Sequence, residues 1–310
     1  MAGAQRIFKQ KIKATSTLEK VFRAMELIAA SRITKARDKA IEADPYTRAL
    51  TEAISAVAAH SDQNNQPLLK KRTDTNRVAI LVVTSDRGMA GAYSSSVLRE
   101  TDKLIEELRE QGKEPVLYVS GRRGESYYSF RGIPVEKTWT GNSDNPQDET
   151  ADLIGDELVR AFSAPADEGG VSEVILVYTR FVSMVRQVVQ TRHMLPIEIV
   201  EADEPDLGQG KAINDDSHEL ADILPLYDFE PDAETVFARL LPLYVRQRIR
   251  TILLMAAASE LASRQQAMHA ATDNAKNLIE EYTRKANNAR QAEITTEITE
   301  IVSGADALSN

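Results

Sequence analysis

The chain has 310 residues, of which 42% are hydrophobic and 27% are charged, and its formal net charge at pH 7 is −9. It contains no cysteine, which excludes disulfide scaffolds, thiolate metal centres and cysteine nucleophiles. The charge is uneven, because residues 1–40 hold ten Lys or Arg and three acids, whereas residues 198–234 hold thirteen acids and one Lys. A basic and an acidic segment on one chain predict two different partner surfaces.

The first predicted element is a long helix over residues 4–58. Good helix formers dominate it, and neither Gly nor Pro occurs between Gly3 and Pro45. Its apolar residues recur every three or four positions, as in the seam of a coiled coil: Leu18, Val21, Met25, Ile28, Ala29, Ile33, Ala36 and Ala40. Pro45 is expected to end or kink this helix.

The middle of the chain predicts strands that alternate with helices. The predicted strands are Arg77–Asp86, Pro115–Ser120, Ile133–Trp139, Glu173–Phe181 and one more within Val182–Pro196. The predicted helices are Ser94–Gln111, Gly124–Arg131 and Pro146–Phe162. This alternation indicates a Rossmann-like, open and mainly parallel sheet over residues 75–200. Ala164–Gly170 is predicted as an exposed loop, and Ala202–Ser217 as an acidic loop within residues 201–229.

The last predicted element is a helix over residues 232–303. Pro242 is expected to end or kink the start of this helix. Its heptad-spaced apolar residues are Met268, Ala271, Ala275, Leu278, Tyr282, Ile294, Ile298, Ile301, Ala305 and Leu308. At about 1.5 Å per residue the terminal helices would be roughly 80 and 110 Å long, whereas a compact chain of this length is about 50 Å across. The sequence therefore predicts an α/β fold plus a long antiparallel α-helical coiled coil, built from residues 1–60 and 230–310.

Enzymatic and nucleic-acid functions find little support in the sequence. The segment Thr84–Tyr93 lies where phosphate loops occur, but Gly88 and Gly91 do not form GxGxxG, and no Walker motif is present, so a tight turn is favoured over a nucleotide site. The four histidines show no zinc or hydrolase spacing. The basic helix has few aromatic residues, which argues against nucleic acid. The amino terminus lacks a signal-like apolar core and no apolar run could span a bilayer, so direct membrane insertion is not expected.

Several motifs resemble the gamma subunit family of F-type ATP synthases. They are ITTEITEIVSGADA at residues 294–307, MAGAQRIFKQKI at 1–12, AMELIAASRITKAR at 24–37, SDRGMAGAY at 85–93 and MHAATDNAKNLI at 268–279. The resemblance implies a central rotor shaft that stands in a hexameric head of alpha and beta subunits, with its foot on the membrane c-ring beside epsilon. It implies that the chain is not catalytic and binds no cofactor, since ATP, ADP and Mg²⁺ belong to the alpha and beta subunits. With no transit peptide, a bacterial complex on the cytoplasmic face of the plasma membrane is expected.

The resemblance also assigns roles to individual residues. Contact with an apolar sleeve of the head is expected from Ile298, Ile301, Val302, Ala305 and Leu308. Contact with acidic lever loops of the beta subunits is expected from Met25, Arg32, Lys35 and Arg37. Contact with the open beta subunit is expected from Arg264, Gln265, Thr272 and Asp273. The foot on the c-ring and epsilon is expected from Leu226, Tyr227, Asp228, Phe229 and Glu230.

Two segments are longer than is usual in the family, and two other functions stay open. The segments are Ser163–Val171 and Ala202–Asp222. One hypothesis is that the first contacts a stator or head subunit and hinders rotation in the hydrolysis direction; an insertion without a role is the alternative. A coiled-coil adaptor unrelated to ATP would explain the long helices but not the terminal motif, and a Rossmann-type enzyme with helical arms would require binding of a dinucleotide or a substrate.

Overall fold

The computed structural model describes residues 2–42, 44–60, 66–197 and 229–309. The helices are α1 (Ala2–Glu42), α2 (Asp44–His60), α3 (Tyr93–Glu110), α4 (Arg122–Phe130), α5 (Asp148–Ser163) and α6 (Ala233–Ser309). The strands are β1 (Arg77–Val83), β2 (Glu114–Ser120), β3 (Val135–Trp139), β4 (Glu173–Phe181) and β5 (Gln187–Leu195). Short 3₁₀ turns at Pro67–Leu69 and Ala166–Glu168 complete the described elements.

The five strands form one mixed sheet in the order β3-β2-β1-β4-β5. The first four strands run parallel, and β5 returns antiparallel to β4. Strand β1 lies at the centre, and its residues from Val78 to Val83 are all buried, which explains its near-continuous apolar sequence. The predicted α/β fold with an open, mainly parallel sheet is confirmed.

Each face of the sheet is covered by its own helices. On one face, apolar side chains of the strands pack with α3 and α4 through residues such as Val97, Ile105 and Tyr128. On the other face, the strands pack with α2, α5 and the first part of α6. The carboxyl ends of the parallel strands β1, β2 and β3 therefore share one edge, and the turns that follow them come close together there.

The described chain divides into two compact units. One unit consists of Met1–Ser31 and Arg264–Asn310, and the other of Arg32–Ser263. In the first unit, the Phe8 ring lies 6.4 Å from the Tyr282 ring, and the Glu26 carboxylate lies 2.9 Å from His269 Nδ1. Later residues of α1 thus meet earlier residues of α6, which makes the pair antiparallel as predicted.

The predicted seam of α1 is wrong in part. Leu18, Val21 and Ile28 are exposed by about half of their surface, and so is Leu278 of α6 to a lesser extent. The predicted seam residues Ala29, Ile33 and Ala36 on α1, and Met268 and Ala275 on α6, are buried, and so are Thr272 and Ala286 of α6, which were not predicted. The helix has 3.6 residues per turn and two neighbouring apolar stripes, so a heptad drawn through one stripe drifts into the other.

The two prolines have different outcomes. Helix is described up to Glu42 and again from Asp44, and residue 43 between them lies outside the described residues, so the expectation that Pro45 ends or kinks the first helix stays a prediction. Pro242 does not end a helix, because α6 begins at Ala233 and runs through it. Phe237 and Leu241, on the turns before Pro242, are fully buried. Burying two such side chains contributes about 3–6 kcal/mol, which offsets the roughly 3 kcal/mol that a proline costs inside a helix.

Candidate functional site

The end of α6 exposes a stripe of large apolar side chains. The exposed fractions are 44% for Ile294, 56% for Ile298, 71% for Ile301 and 54% for Val302. At about 100° per residue these four positions fall within about 100° of the helix circumference. The predicted sleeve residues that lie in this part of the chain are thus available to a partner. The side chains of Ala305 and Leu308 lie outside the described residues.

A second apolar stripe lies on α1 and was not predicted as a contact surface. Ile7, Leu18, Val21 and Ile28 are each exposed by about half. Their spacing places them within about 80° of the helix circumference, about a quarter turn from the half-buried Phe22 and the buried Ala29 and Ile33. Contiguous exposed apolar side chains mark contact surfaces more often than isolated ones do. Three of these residues, Leu18, Val21 and Ile28, belong to the internal seam that the sequence predicts.

The basic residues expected to meet acidic loops lie on the second half of α1. Lys35 and Arg37 are exposed, and Met25 is half-buried. Arg32 is different, because its guanidinium forms an ion pair with Asp144, whose side chain is only 16% exposed. One turn further along α1 from Lys35, Lys39 Nζ donates a hydrogen bond of 3.1 Å to Asn145 Oδ1. The loop between β3 and α5 is therefore fastened to α1 at two points.

Asp86 organises that loop from the carboxyl end of β1. One carboxylate oxygen accepts the backbone N–H of Arg122 at 3.0 Å, and the other accepts those of Gly141 at 2.9 Å and Ser143 at 2.8 Å. In return, the Asp86 N–H donates to Ser143 Oγ at 2.8 Å. One side chain thus joins three turns at the same edge of the sheet, and the third turn carries Asp144 to Arg32.

The hydrogen bonds at Asp86 decide its ionisation. Partial burial is the largest single effect and favours the neutral acid. The N–H groups of Ser143, Gly141 and Arg122, with the Ser143 hydroxyl, together outweigh burial and hold the pKa of Asp86 below its ordinary value of 3.8. The carboxylate is therefore ionised at neutral pH. Sequence reasoning missed this residue, although an acid directly after a buried strand is a recognisable signal.

The four residues expected to catch the open beta subunit differ in accessibility. Arg264 and Thr272 are buried, and the Thr272 hydroxyl donates to the Met268 carbonyl at 2.9 Å. Gln265 is half-buried. Asp273 is exposed and lies 3.2 Å from Lys276 Nζ. The structure thus leaves Asp273 as the most accessible member of this predicted group.

Most of the predicted foot turn lies outside the described residues. This holds for Leu226, Tyr227 and Asp228. Phe229 is half-buried and packs against the core that α6 shares with the sheet, and Glu230 is exposed.

The predicted loop over residues 163–171 contains the Ala166–Glu168 turn. Two arginines fasten it, since Arg72 donates to the Ala164 carbonyl at 2.7 Å and Arg77 donates to the Gly169 carbonyl at 2.6 Å. The acidic loop Ala202–Asp222 also lies outside the described residues.

No metal-binding cluster of three or more His, Cys, Asp or Glu side chains occurs in the described ranges. Nor does any helix in those ranges combine the length and apolar character needed to cross a bilayer. The geometry that the structure does offer consists of apolar stripes on two antiparallel helices and a basic segment fastened to the sheet edge. These features fit contacts with other proteins.

Comparison with known proteins identifies the family. A family model described as ATP synthase matches residues 4–308. The ATP synthase gamma chain of Beutenbergia cavernae is 59% identical over 309 residues, which cover 100% of this chain and 99% of that one. The ATP synthase gamma chain of Bifidobacterium adolescentis is 50% identical over 307 residues, covering 99% of this chain and 98% of that one.

Solved structures share the fold. A chain of the Euglena gracilis mitochondrial ATP synthase in its OSCP/F1/c-ring assembly aligns with a TM-score of 0.63 at 13% identity, covering 99% of this chain and 95% of that chain. A chain of the Tetrahymena thermophila central stalk and c-ring structure aligns with a TM-score of 0.55 at 21% identity, covering 81% of this chain and 99% of that chain. Taken with the family match over almost the whole length, the chain belongs to the ATP synthase gamma chain family.

Proposed function

We propose that this chain is the central rotor shaft of a proton-translocating F-type ATP synthase. In this role it couples rotation of the c-ring, driven by proton flow, to conformational changes in the catalytic beta subunits. It carries out no catalysis itself and binds no cofactor for the reaction, because ATP, ADP and Mg²⁺ are held by the alpha and beta subunits. Its partners are the alpha–beta hexamer, epsilon and the c-ring, and the complex lies on the cytoplasmic face of the plasma membrane.

The observation that carries this proposal is the exposed apolar stripe at the end of α6. Covering the exposed side chains of Ile298, Ile301 and Val302 with another protein stabilises the complex by about 25 cal/mol for each Å² of apolar area that is buried. The stripe contains no aromatic side chain, so no single group anchors it as strongly as a buried ring would. Such a surface suits a helix end that is enclosed by the apolar sleeve of the head and can still rotate inside it.

The basic segment of α1 supplies the second set of contacts. Lys35 and Arg37 are exposed and can meet acidic loops of the beta subunits. Exposed ion pairs contribute about 0.2–1 kcal/mol each, which permits repeated contact and release during rotation. Arg32 combines this role with its ion pair to Asp144, so it also fastens α1 to the loop that follows β3.

A labelling experiment tests whether a sleeve covers the tip. Because the chain has no cysteine, Ile301→Cys introduces its only thiol. We expect a water-soluble maleimide to label this thiol in the free chain and to label it far more slowly in the assembled complex. The same complex after dissociation provides the control and should regain the labelling rate. Equal rates in the free and assembled chain would contradict an enclosed tip.

A second experiment tests coupling. The double variant Lys35→Glu/Arg37→Glu leaves the Arg32–Asp144 ion pair intact, so it changes only the exposed charges. We expect the complex to assemble with one copy of this chain per alpha–beta hexamer, and to transport fewer protons per ATP hydrolysed. The control is Glu19→Lys/Arg23→Glu, which exchanges two charges earlier on the same helix. Loss of the complex instead of loss of coupling would count against this role for the basic segment, and failure of the unaltered chain to co-purify with the hexamer would favour an adaptor.

A further inference from the structure

A cavity of about 680 Å³ opens between the β1–α3 turn, α3 and α4. Four of the side chains that line it are arginines, which come from three separate segments: Arg87 from the turn, Arg99 from α3, Arg123 from α4, and Arg131 from the position directly after α4. The whole chain carries a net charge of −9, so this concentration of guanidinium groups creates a local positive potential in an acidic protein.

The cavity has an excess of positive charge. Asp102 is the one acidic residue among its described lining residues. Its Oδ2 atom already accepts the Tyr127 hydroxyl at 2.6 Å and Arg131 Nη1 at 3.1 Å. Within the described part of the chain, no carboxylate oxygen lies within 4 Å of Arg99 or Arg123. Asp102 therefore balances Arg131, and among the described residues Arg99 and Arg123 have no counter-charge at ion-pair distance.

Arg131 is held in place before any ligand arrives, and Arg123 has the room it occupies because its neighbour is a glycine. Arg131 lies over the Tyr127 ring, 4.7 Å from its centroid, in addition to its bond with Asp102. Arg123 lies directly against Gly88, where a Cβ atom would come 2.2 Å from Arg123 Nη2. Gly88 is thus needed for the observed position of this guanidinium. Groups held in their bound geometry lose less entropy on binding.

The position of the cavity agrees with its charge. It lies at the carboxyl end of β1, the edge of an open α/β sheet at which ligands bind. Guanidinium groups match the oxygens of a phosphate group and often bind them in pairs. A volume of about 680 Å³ lies within the usual range for sites of small molecules.

We infer that this cavity binds a small phosphate-bearing anion, with Arg99 and Arg123 as the principal ligands of its phosphate groups. Orthophosphate, pyrophosphate and the phosphate groups of a nucleotide share this chemistry. The inference does not depend on the proposed rotor role, because it concerns a cavity within this chain alone. It adds a ligand site to a chain that has no phosphate-loop motif.

Calorimetry on the full chain tests the inference, with orthophosphate, pyrophosphate and ATP titrated at constant ionic strength. We expect saturable binding of pyrophosphate that is equalled by ATP, because the phosphate groups alone are recognised. Arg99→Gln and Arg123→Gln should each weaken binding about tenfold or more, the effect of losing a charge-assisted hydrogen bond. Arg122→Gln is the matched control, since Arg122 is an exposed neighbour that does not line the cavity, and its affinity should not change.

Three results would overturn the inference. They are the absence of saturable binding by the unaltered chain, binding that the Arg99 and Arg123 variants leave unchanged, and equal loss in the Arg122 control. Circular dichroism of each variant establishes that the fold is intact before affinities are compared. A glutamate-rich peptide that binds more tightly than pyrophosphate and displaces it would also overturn the inference, because the cavity would then serve carboxylates of a partner protein.

Discussion

Replacing Asp86 by Asn perturbs the junction of three turns while it preserves the size of the side chain. An Asn can keep one acceptor oxygen, which we expect to face Gly141 and Ser143, but its NH₂ group cannot accept the Arg122 N–H. The variant thus loses one charge-assisted hydrogen bond and weakens two others. Bonds to charged groups contribute about 1.5–3 kcal/mol each and neutral ones about 1 kcal/mol, so we expect the free energy of unfolding at pH 7 to fall by about 3 kcal/mol.

The pH dependence gives this prediction a second test. The pKa of Asp86 is lower in the folded chain than in the unfolded chain, where it is about 3.9. The ionised carboxylate therefore stabilises the fold above pH 4, and this contribution is lost as the pH falls through the folded pKa. The difference in stability between the unaltered chain and Asp86→Asn should accordingly be greatest at neutral pH and shrink below pH 4.

Urea unfolding of the full chain, followed by circular dichroism at several pH values, measures both effects. Asp152→Asn is the matched control, because Asp152 is an exposed carboxylate of α5 whose loss should change stability by less than about 0.5 kcal/mol. The reasoning is refuted if Asp86→Asn is as stable as the control at pH 7. It is refuted equally if the difference between the two chains is constant from pH 7 to pH 3.

Three further predictions concern the loops at the ends of the strands: the first two lie at the edge that holds Asp86 and the third at the opposite edge. Gly121→Ala should lower the free energy of unfolding by about 3 kcal/mol or more, because Gly121 has φ +103° and a Cβ would lie 2.2 Å from the Thr84 carbonyl oxygen. Gly112→Ala is the control, because Gly112 also has a positive φ but lies in open space. It should lower the free energy of unfolding by only about 1–2 kcal/mol in the same urea assay. The single variants Arg32→Asp and Asp144→Arg should each lose up to about 1 kcal/mol of stability, and the double variant Arg32→Asp/Asp144→Arg should regain most of it. The number of protons transported per ATP should stay low in the double variant, because α1 has lost its cation. Full recovery of transport would show that Arg32 acts only within the chain. Arg72→Ala should lower the thermal midpoint by removing the donor to the Ala164 carbonyl, while Lys70→Ala, an exposed neighbour, should not.

The sheet could be predicted from the sequence because burial on both faces leaves a clear signal. Arg77–Val83 and Glu173–Phe181 are runs of Val, Ile and Leu, and each ended within three residues of its predicted bound. The direction of β5 was not predicted because the sequence left its bounds open within Val182–Pro196; the five residues that separate β4 from β5 are too few for a parallel crossover and require an antiparallel hairpin. The path of α6 through Pro242 was missed for a related reason, because the burial that outweighs the proline is a tertiary effect.

The candidate site was predicted only where one helix carries it. The exposed tip at Ile298 and Ile301 follows from local spacing, which a sequence displays directly. The junction at Asp86 instead depends on two turns that lie more than 30 residues from Asp86 in the sequence and meet it at one edge of the sheet. The local sequence pattern does not predict such contacts. The arginine cavity is hidden for the same reason, since its four guanidinium groups come from a turn and two helices.

The error in the seam of α1 bears on how a shaft could push its partners unequally. Leu18, Val21 and Ile28 are as apolar as core residues, yet they lie about a quarter turn away from the buried side of their helix and are about half exposed. With Ile7 they cover about 80° of its circumference, and Leu27, which is 64% exposed, lies roughly 140° from the middle of that stripe, so a surrounding partner would meet apolar side chains unevenly around the helix. Covering the exposed half of one of these side chains would contribute about 1 kcal/mol to the binding free energy. A given partner would gain this contribution when the stripe faces it and lose it when the shaft has turned. The pattern that misled the helix assignment therefore supplies the directional difference that a rotating shaft needs.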